Sequence, residues 1–179
     1  FERYMKGVEE AVEVMGKGKV GVHLIVGLGE TEREAVGLMQ AVKDLGAETH
    51  LFAFYPEEAS VLEKWPRVPL GQYRRMQIAR YLIDHGLSRL DDMEFNEYGQ
   101  LIKYGLGEDE LMDVVLSGEP FMTSGCPGCN RPYANERPNE VPRNYPYPPS
   151  RRESLNAYRQ SLRYQRPPRN TLDRLKRYL

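Results

Sequence analysis

The two cysteines of this 179-residue chain stand together in one stretch, Cys126-Pro127-Gly128-Cys129. Two thiolates at this spacing can hold one metal, because the turn between them aims both sulfurs the same way. Gly125, Pro127 and Gly128 favour that turn. Two sulfurs fill half of a tetrahedral site, so the other ligands must come from elsewhere. A redox CxxC needs its cysteines at a helix N-terminus after a strand, whereas this one lies in a proline-rich tract. Metal ligation is therefore preferred to redox chemistry, and both to a pair of free surface thiols. A second stretch is Gly27-Leu28-Gly29-Glu30, at the end of the apolar run 20–26. Its glycines let a ligand approach the backbone with no Cβ in the way, and Glu30 is a carboxylate placed to accept hydrogen bonds from that ligand. An ordinary strand-to-helix turn is the alternative. The stretch lacks the third glycine of a dinucleotide fingerprint and the Lys-Ser/Thr of a phosphate loop. Of the three histidines, His23 lies near this turn, while His50 and His85 read as structural. They do not have metal-ligand spacing.

The elements that must position these groups follow from periodicity. Residues 2–15 have helical spacing and Gly16 and Gly18 stop them. Residues 20–26 read as a buried strand, 32–45 as a helix stopped by Gly46, and 49–55 as a second buried strand rich in β-branched and aromatic residues. Helix, strand, helix, strand with short loops implies a parallel sheet with right-handed crossovers. Two strands cannot cover a sheet alone, so residues outside this chain, or another subunit, are expected to complete it. Pro56 breaks the second strand and opens a long loop. Residues 70–84 form an amphipathic helix stopped by Gly86, with His85 at its C-terminus, where a cation is favoured. A hairpin follows, turning at Asn96-Glu97-Tyr98-Gly99. A short helix, 108–116, begins with acids. Residues 121–150 are dense in Pro, Gly, Asn and Tyr and read as an arm, ordered by contact or extended, not as a packed layer. Residues 155–164 and 171–179 read as basic helices.

Net charge is −1, unevenly spread. From Arg151 onward nine Lys and Arg face only Glu153 and Asp173, a balance of +7 that leaves −8 on residues 1–150. Such a tail folds back on the body or docks an acidic partner. With an acidic body and no recognised binding module, nucleic acid is not expected. No run approaches the ~18 apolar residues of a membrane span and no signal-peptide pattern opens the chain. The cysteine usage suits a cytoplasmic protein. The opening FERYMKGVEEAVEVM reads as a helix entered midway, so the chain is expected to be a piece of a longer protein.

HLIVGLGETEREAV resembles the fifth strand and following turn of radical S-adenosylmethionine (radical SAM) enzymes, whose GxIxGxxE-type motif contacts adenine. Ile25, Gly27 and Glu30 match that pattern, and His23 replaces its first glycine. LFAFYPEEAS is similar to the sixth strand of the same barrel, which implies that Phe52 and Phe54 also border the adenine. SGCPGCNRPYANERP with NYPYPPSRRE resembles the C-terminal arm of biotin-synthase-like members, including two-component lipoyl synthases. The resemblance covers roughly residues 1–153. It implies an α/β fold: the C-terminal part of a partial (β/α)6 TIM-type barrel over 1–68, a small α+β cap over 69–120, a CxxC-containing Pro-rich arm over 121–150, and a basic helical tail over 151–179. It implies S-adenosylmethionine as cofactor, bound by His23, Ile25, Gly27, Glu30, Phe52 and Phe54. The CxxxCxxC that holds the radical-generating [4Fe-4S] cluster is absent, so those ligands lie outside this chain and the fragment alone is expected to be inactive. Cys126 and Cys129 become candidate ligands of an auxiliary iron–sulfur cluster. The implied reaction is sulfur insertion into an octanoyl chain, with an acidic acyl-carrier or lipoyl domain as partner for the basic tail. Biotin-type or another radical SAM chemistry is the alternative. A non-catalytic metal- or partner-binding fragment is the reading from a different class.

Overall fold

The computed structural model describes residues 1–125 and 139–165. Helix α1 (Glu2–Met15) leads through Gly16 to strand β1 (Gly21–Val26), helix α2 (Glu32–Asp44) and strand β2 (Glu48–Ala53). After a long loop come α3 (Leu70–Asp84), a short hairpin of β3 (Glu94–Phe95) and β4 (Leu101–Lys103), α4 (Glu108–Ser117) and α5 (Arg151–Ser161). The fold is mixed α/β with small sheets. The expected helix over 171–179 falls outside the described residues.

β1 and β2 pair in parallel, with His23 opposite His50 and Ile25 opposite Phe52. The expectation of two wholly buried strands is corrected. Val22 and Val26 of β1 and Thr49, Leu51 and Ala53 of β2 are buried, whereas their neighbours alternate outward. The cause is that the helices cover one face only. Val8 and Val12 of α1 pack with Val22, Val42 and Ala47 in one apolar cluster. A larger cluster joins Val26, Leu51 and Ala53 to Val36 and Met39 of α2, Tyr73 and Met76 of α3, and Ala157 of α5. The amides of Glu48 and Phe54 donate to Val20 and Val26 across the pair. Alternate residues of β2 therefore face β1, and Leu51 faces the outer edge, where its carbonyl accepts from the Tyr73 hydroxyl at 3.0 Å.

Helix α3 begins and ends where its pattern predicts, but it is not amphipathic. Arg74, Arg75 and Gln77 are buried along with its apolar residues. The helix runs through the middle of the molecule, and its polar side chains hold the segments around it. Arg75 makes two hydrogen bonds to the Glu32 carboxylate, at 2.8 and 2.5 Å, and one to the Ser161 carbonyl at 2.6 Å. Arg74 binds the Gln160 side chain at 3.0 Å and the Arg143 and Pro142 carbonyls.

The last described helix starts earlier than its apolar period suggests, at Arg151 rather than 155. Ser150 and Glu153 form a capping box: the Glu153 amide donates to Ser150 Oγ and the Ser150 amide to Glu153 Oε2 at 2.7 Å. Thr31 and Glu34 do the same for α2. Ser150→Ala and Thr31→Ala should each cost about 0.5–2 kcal/mol. Urea unfolding reads the loss, and faster amide exchange in the first turn of the affected helix assigns it.

The described ends of the arm are ordered by contact. Tyr145 is buried and bridges Phe121 and Thr123 through backbone hydrogen bonds of 2.8 and 2.9 Å. Arg67 grips Glu140 with two hydrogen bonds. Gln77 donates to Asn144 Oδ1, and Asn144 donates to Tyr73.

Candidate ligand face

A parallel strand pair covered on one side leaves one side for a ligand. Here that side carries His23 and Ile25 from β1 and His50 and Phe52 from β2, brought together by the strand period of two. Ile25 is 45% exposed, and the His23 ring centroid lies 5.0 Å from that of Phe52 and 5.8 Å from that of His50. Phe54 continues the same alternation past the end of β2 and is half-buried. Four of the six residues expected to line a cofactor pocket thus follow one alternation. His50 joins them, although its place in the sequence reads as structural. The signal was available: His50, Phe52 and Phe54 are two apart, so any face that holds one holds all three.

The glycine turn is arranged differently from a ligand-ready loop. Gly27 and Gly29 have positive φ values of 107° and 116°, which glycine alone adopts readily. Glu30 does not reach outward. Its Oε1 accepts from the Gly27 amide at 2.7 Å and its Oε2 from the Leu28 amide at 2.9 Å, so the carboxylate closes its own turn. Burial pushes the Glu30 carboxyl above the ordinary carboxylate range, against the opposing pull of the Gly27 and neighbouring amides. The Trp65 indole donates to the Gly27 carbonyl at 2.8 Å. A Cβ on Gly27 would stand 2.6 Å from Cβ of Val68. Gly27 is therefore needed for the close approach of the 54–69 loop, and the sequence offers no local sign of that long-range contact.

His85 lies where expected, at the C-terminal cap of α3, stacked on Tyr81 at 3.9 Å with Nδ1 2.8 Å from the Tyr81 carbonyl. Cys126 and Cys129 fall outside the described residues. The chain enters that stretch from the sheet, since Ser124 Oγ lies 3.2 Å from His50 Nδ1. Among the described residues no group of three or more His, Cys, Asp or Glu could hold a metal ion, and no helix is long and apolar enough to cross a membrane.

His50 titrates below an ordinary histidine, because burial disfavours its charge, with His23 and Arg80 adding repulsion and Glu48 opposing them. A base whose pKa falls on folding contributes stability present above the unfolded value, about 6.5, and lost as pH falls through the folded value. His50→Gln should flatten that acid-side loss. Urea midpoints compared between pH 7 and 5 for parent and variant provide the check.

Set against known proteins, the chain matches no family profile, no curated protein and no solved structure.

Proposed function

We propose that this chain forms one wall of the barrel of a radical SAM enzyme of the biotin-synthase-like type, with sulfur insertion into an octanoyl chain as its first-choice reaction. The observation that carries the proposal is the parallel β1–β2 pair, helix-covered on one side and open on the other at His23, Ile25 and Phe52. A partial (β/α)6 barrel has strands of this kind, with the uncovered side turned inward to the ligand. The residues present fit an adenine in part. Phe52 and His23 offer ring faces and Ile25 an apolar surface, with Phe54 next along the strand, which suits a planar base. Gly27 and Glu30 fit less directly, because their polar groups are engaged within the turn and with Trp65. Their role is to set the turn that ends β1 beside the base.

When bound, S-adenosylmethionine with its iron–sulfur cluster supplies radical chemistry. Two cysteines cannot provide the three thiolates of a CxxxCxxC cluster, so those ligands and the remaining strands come from outside this chain or from a second subunit. Cys126 and Cys129 are the candidate ligands for an auxiliary cluster. Arg151, Arg152 and Arg159 stand exposed on α5 and would steer an acidic acyl-carrier or lipoyl domain toward the protein. Biotin-type sulfur insertion uses the same parts and is the alternative reaction.

Two measurements test the reading. The full-length protein, reconstituted anaerobically with iron and sulfide, should hold two clusters, about eight irons, and Cys126→Ala/Cys129→Ala should hold one. Unchanged iron in that variant removes the auxiliary cluster. Ile25→Asp should weaken S-adenosylmethionine binding at least about tenfold, or about 1.4 kcal/mol. Undiminished binding in Ile25→Asp sinks the adenine wall. A full-length protein that takes up no S-adenosylmethionine is instead a metal- or partner-binding module.

A further inference from the structure

We infer that His23 and His50 together chelate a borderline divalent transition metal, of the Zn2+, Co2+, Ni2+ or Cu2+ class, on the open face of the β1–β2 sheet. The inference goes beyond the radical SAM reading and does not rest on it. The two histidines are register partners on adjacent parallel strands and share the uncovered face. Their ring centroids are 5.8 Å apart at an interplanar angle of 63°. Two imidazoles bound to one tetrahedral ion at metal–nitrogen distances of about 2.0–2.1 Å have centroids about 5 Å apart. His23 is exposed, so its ring is free to turn toward His50.

The surroundings orient His50 as a ligand is oriented. Its Nδ1 is 3.2 Å from Ser124 Oγ, which leaves Nε2 as the coordinating nitrogen. Nε2 lies over Gly21, two residues before His23 on the same face of β1. A Cβ at Gly21 would stand 2.7 Å from it, so the missing side chain gives the ring its place. An all-imidazole pair suits Zn, Co, Ni and Cu rather than Mg or Ca, which require oxygen donors. Two protein nitrogens leave coordination positions open on the side away from the sheet, where water or a further donor completes the sphere.

The test is a calorimetric titration with Co2+ or Ni2+ under reducing conditions, on the full chain carrying Cys126→Ser and Cys129→Ser so that thiolates do not compete. One ion per chain is expected. His23→Gln and His50→Gln should each weaken binding at least about tenfold, or about 1.4 kcal/mol, while His85→Gln leaves it unchanged. Gly21→Ala should also weaken it, since it displaces the His50 ring without removing a nitrogen. His23 is exposed, so His23→Gln should melt at the parent's temperature without metal, which keeps that arm free of folding effects. Equal affinity in His23→Gln, or no binding once the cysteines are gone, overturns the inference.

Discussion

Arg75→Ala is expected to be the most damaging single substitution in the described structure, at about 3–5 kcal/mol. Arg75 and Glu32 are 1% and 3% exposed, so neither charge is hydrated. Each is held by protein groups. Glu32 receives two hydrogen bonds from Arg75 and a third from the Leu101 amide at 2.8 Å. Arg75 also donates to the Ser161 and Arg163 carbonyls, and its guanidinium lies 4.3 Å from the Tyr164 ring centroid. Removing the arginine leaves a buried carboxylate and two carbonyls without their donor. Replacing both partners, as in Arg75→Met with Glu32→Gln, should cost clearly less than Arg75→Ala alone, because no charge is stranded. Urea unfolding of the two proteins decides it. A double variant as unstable as the single one would show that geometry, not charge, dominates at this site.

Gly71→Ala gives the second large effect, and here two terms compete. Gly71 is the second residue of α3, so alanine there gains at most about 0.8–1.0 kcal/mol, the helix preference that applies in a helix interior. Against that, the added Cβ would meet the Arg163 carbonyl at 2.5 Å and the Gln160 carbonyl at 2.8 Å. Both are backbone atoms at the C-terminal end of α5 and cannot swing away as a side chain would. Overpacking of this kind costs about 1–3 kcal/mol, so the clash should win. The same displacement would loosen the Arg75–Ser161 and Arg74–Gln160 hydrogen bonds. A lower melting temperature with faster tryptic cleavage at Arg159 and Arg163 is the expected pair of results. A more stable Gly71→Ala protein would mean that α5 does not dock there.

These two sites show what could be read in advance and what could not. Helix and strand positions were legible, because burial on one face imposes a period that survives in the sequence; α1 is an instance, correct from Glu2 to Met15 with Val8 and Val12 on its buried side. The parallel pairing was legible from element order alone. The burial of Arg74 and Arg75 was not, since an arginine inside a helix pattern reads as its solvent side until its distant partners, 43 to 88 residues away, are known. The Ser150–Glu153 box stands in the sequence as Ser-x-x-Glu, a helix start four residues ahead of the apolar period that begins at 155. At the candidate site, His23, Ile25 and Phe52 are named by the resemblance to barrel strands; the strands themselves read as wholly buried, and only the structure puts these residues on one open face. The residue pattern could not show that Glu30 closes its own turn, because two orientations of a carboxylate leave the same pattern.

The buried Glu32–Arg75 pair also sets an order on how this protein comes to be made. When a ribosome has delivered α2, Glu32 is a carboxylate with no cation. Arg75 arrives 43 residues later, the Leu101 amide 69 residues later, and the Ser161 carbonyl a further 86 residues after Arg75. Each half-built stage carries an ion in a place that will become dry, so the larger cluster around α3 does not close step by step behind the emerging chain, whereas the small cluster of α1, β1 and α2 is complete by Ala47. Closure waits for the return of α5, and the nascent protein remains open, and available to chaperones, until nearly all described residues have been synthesised.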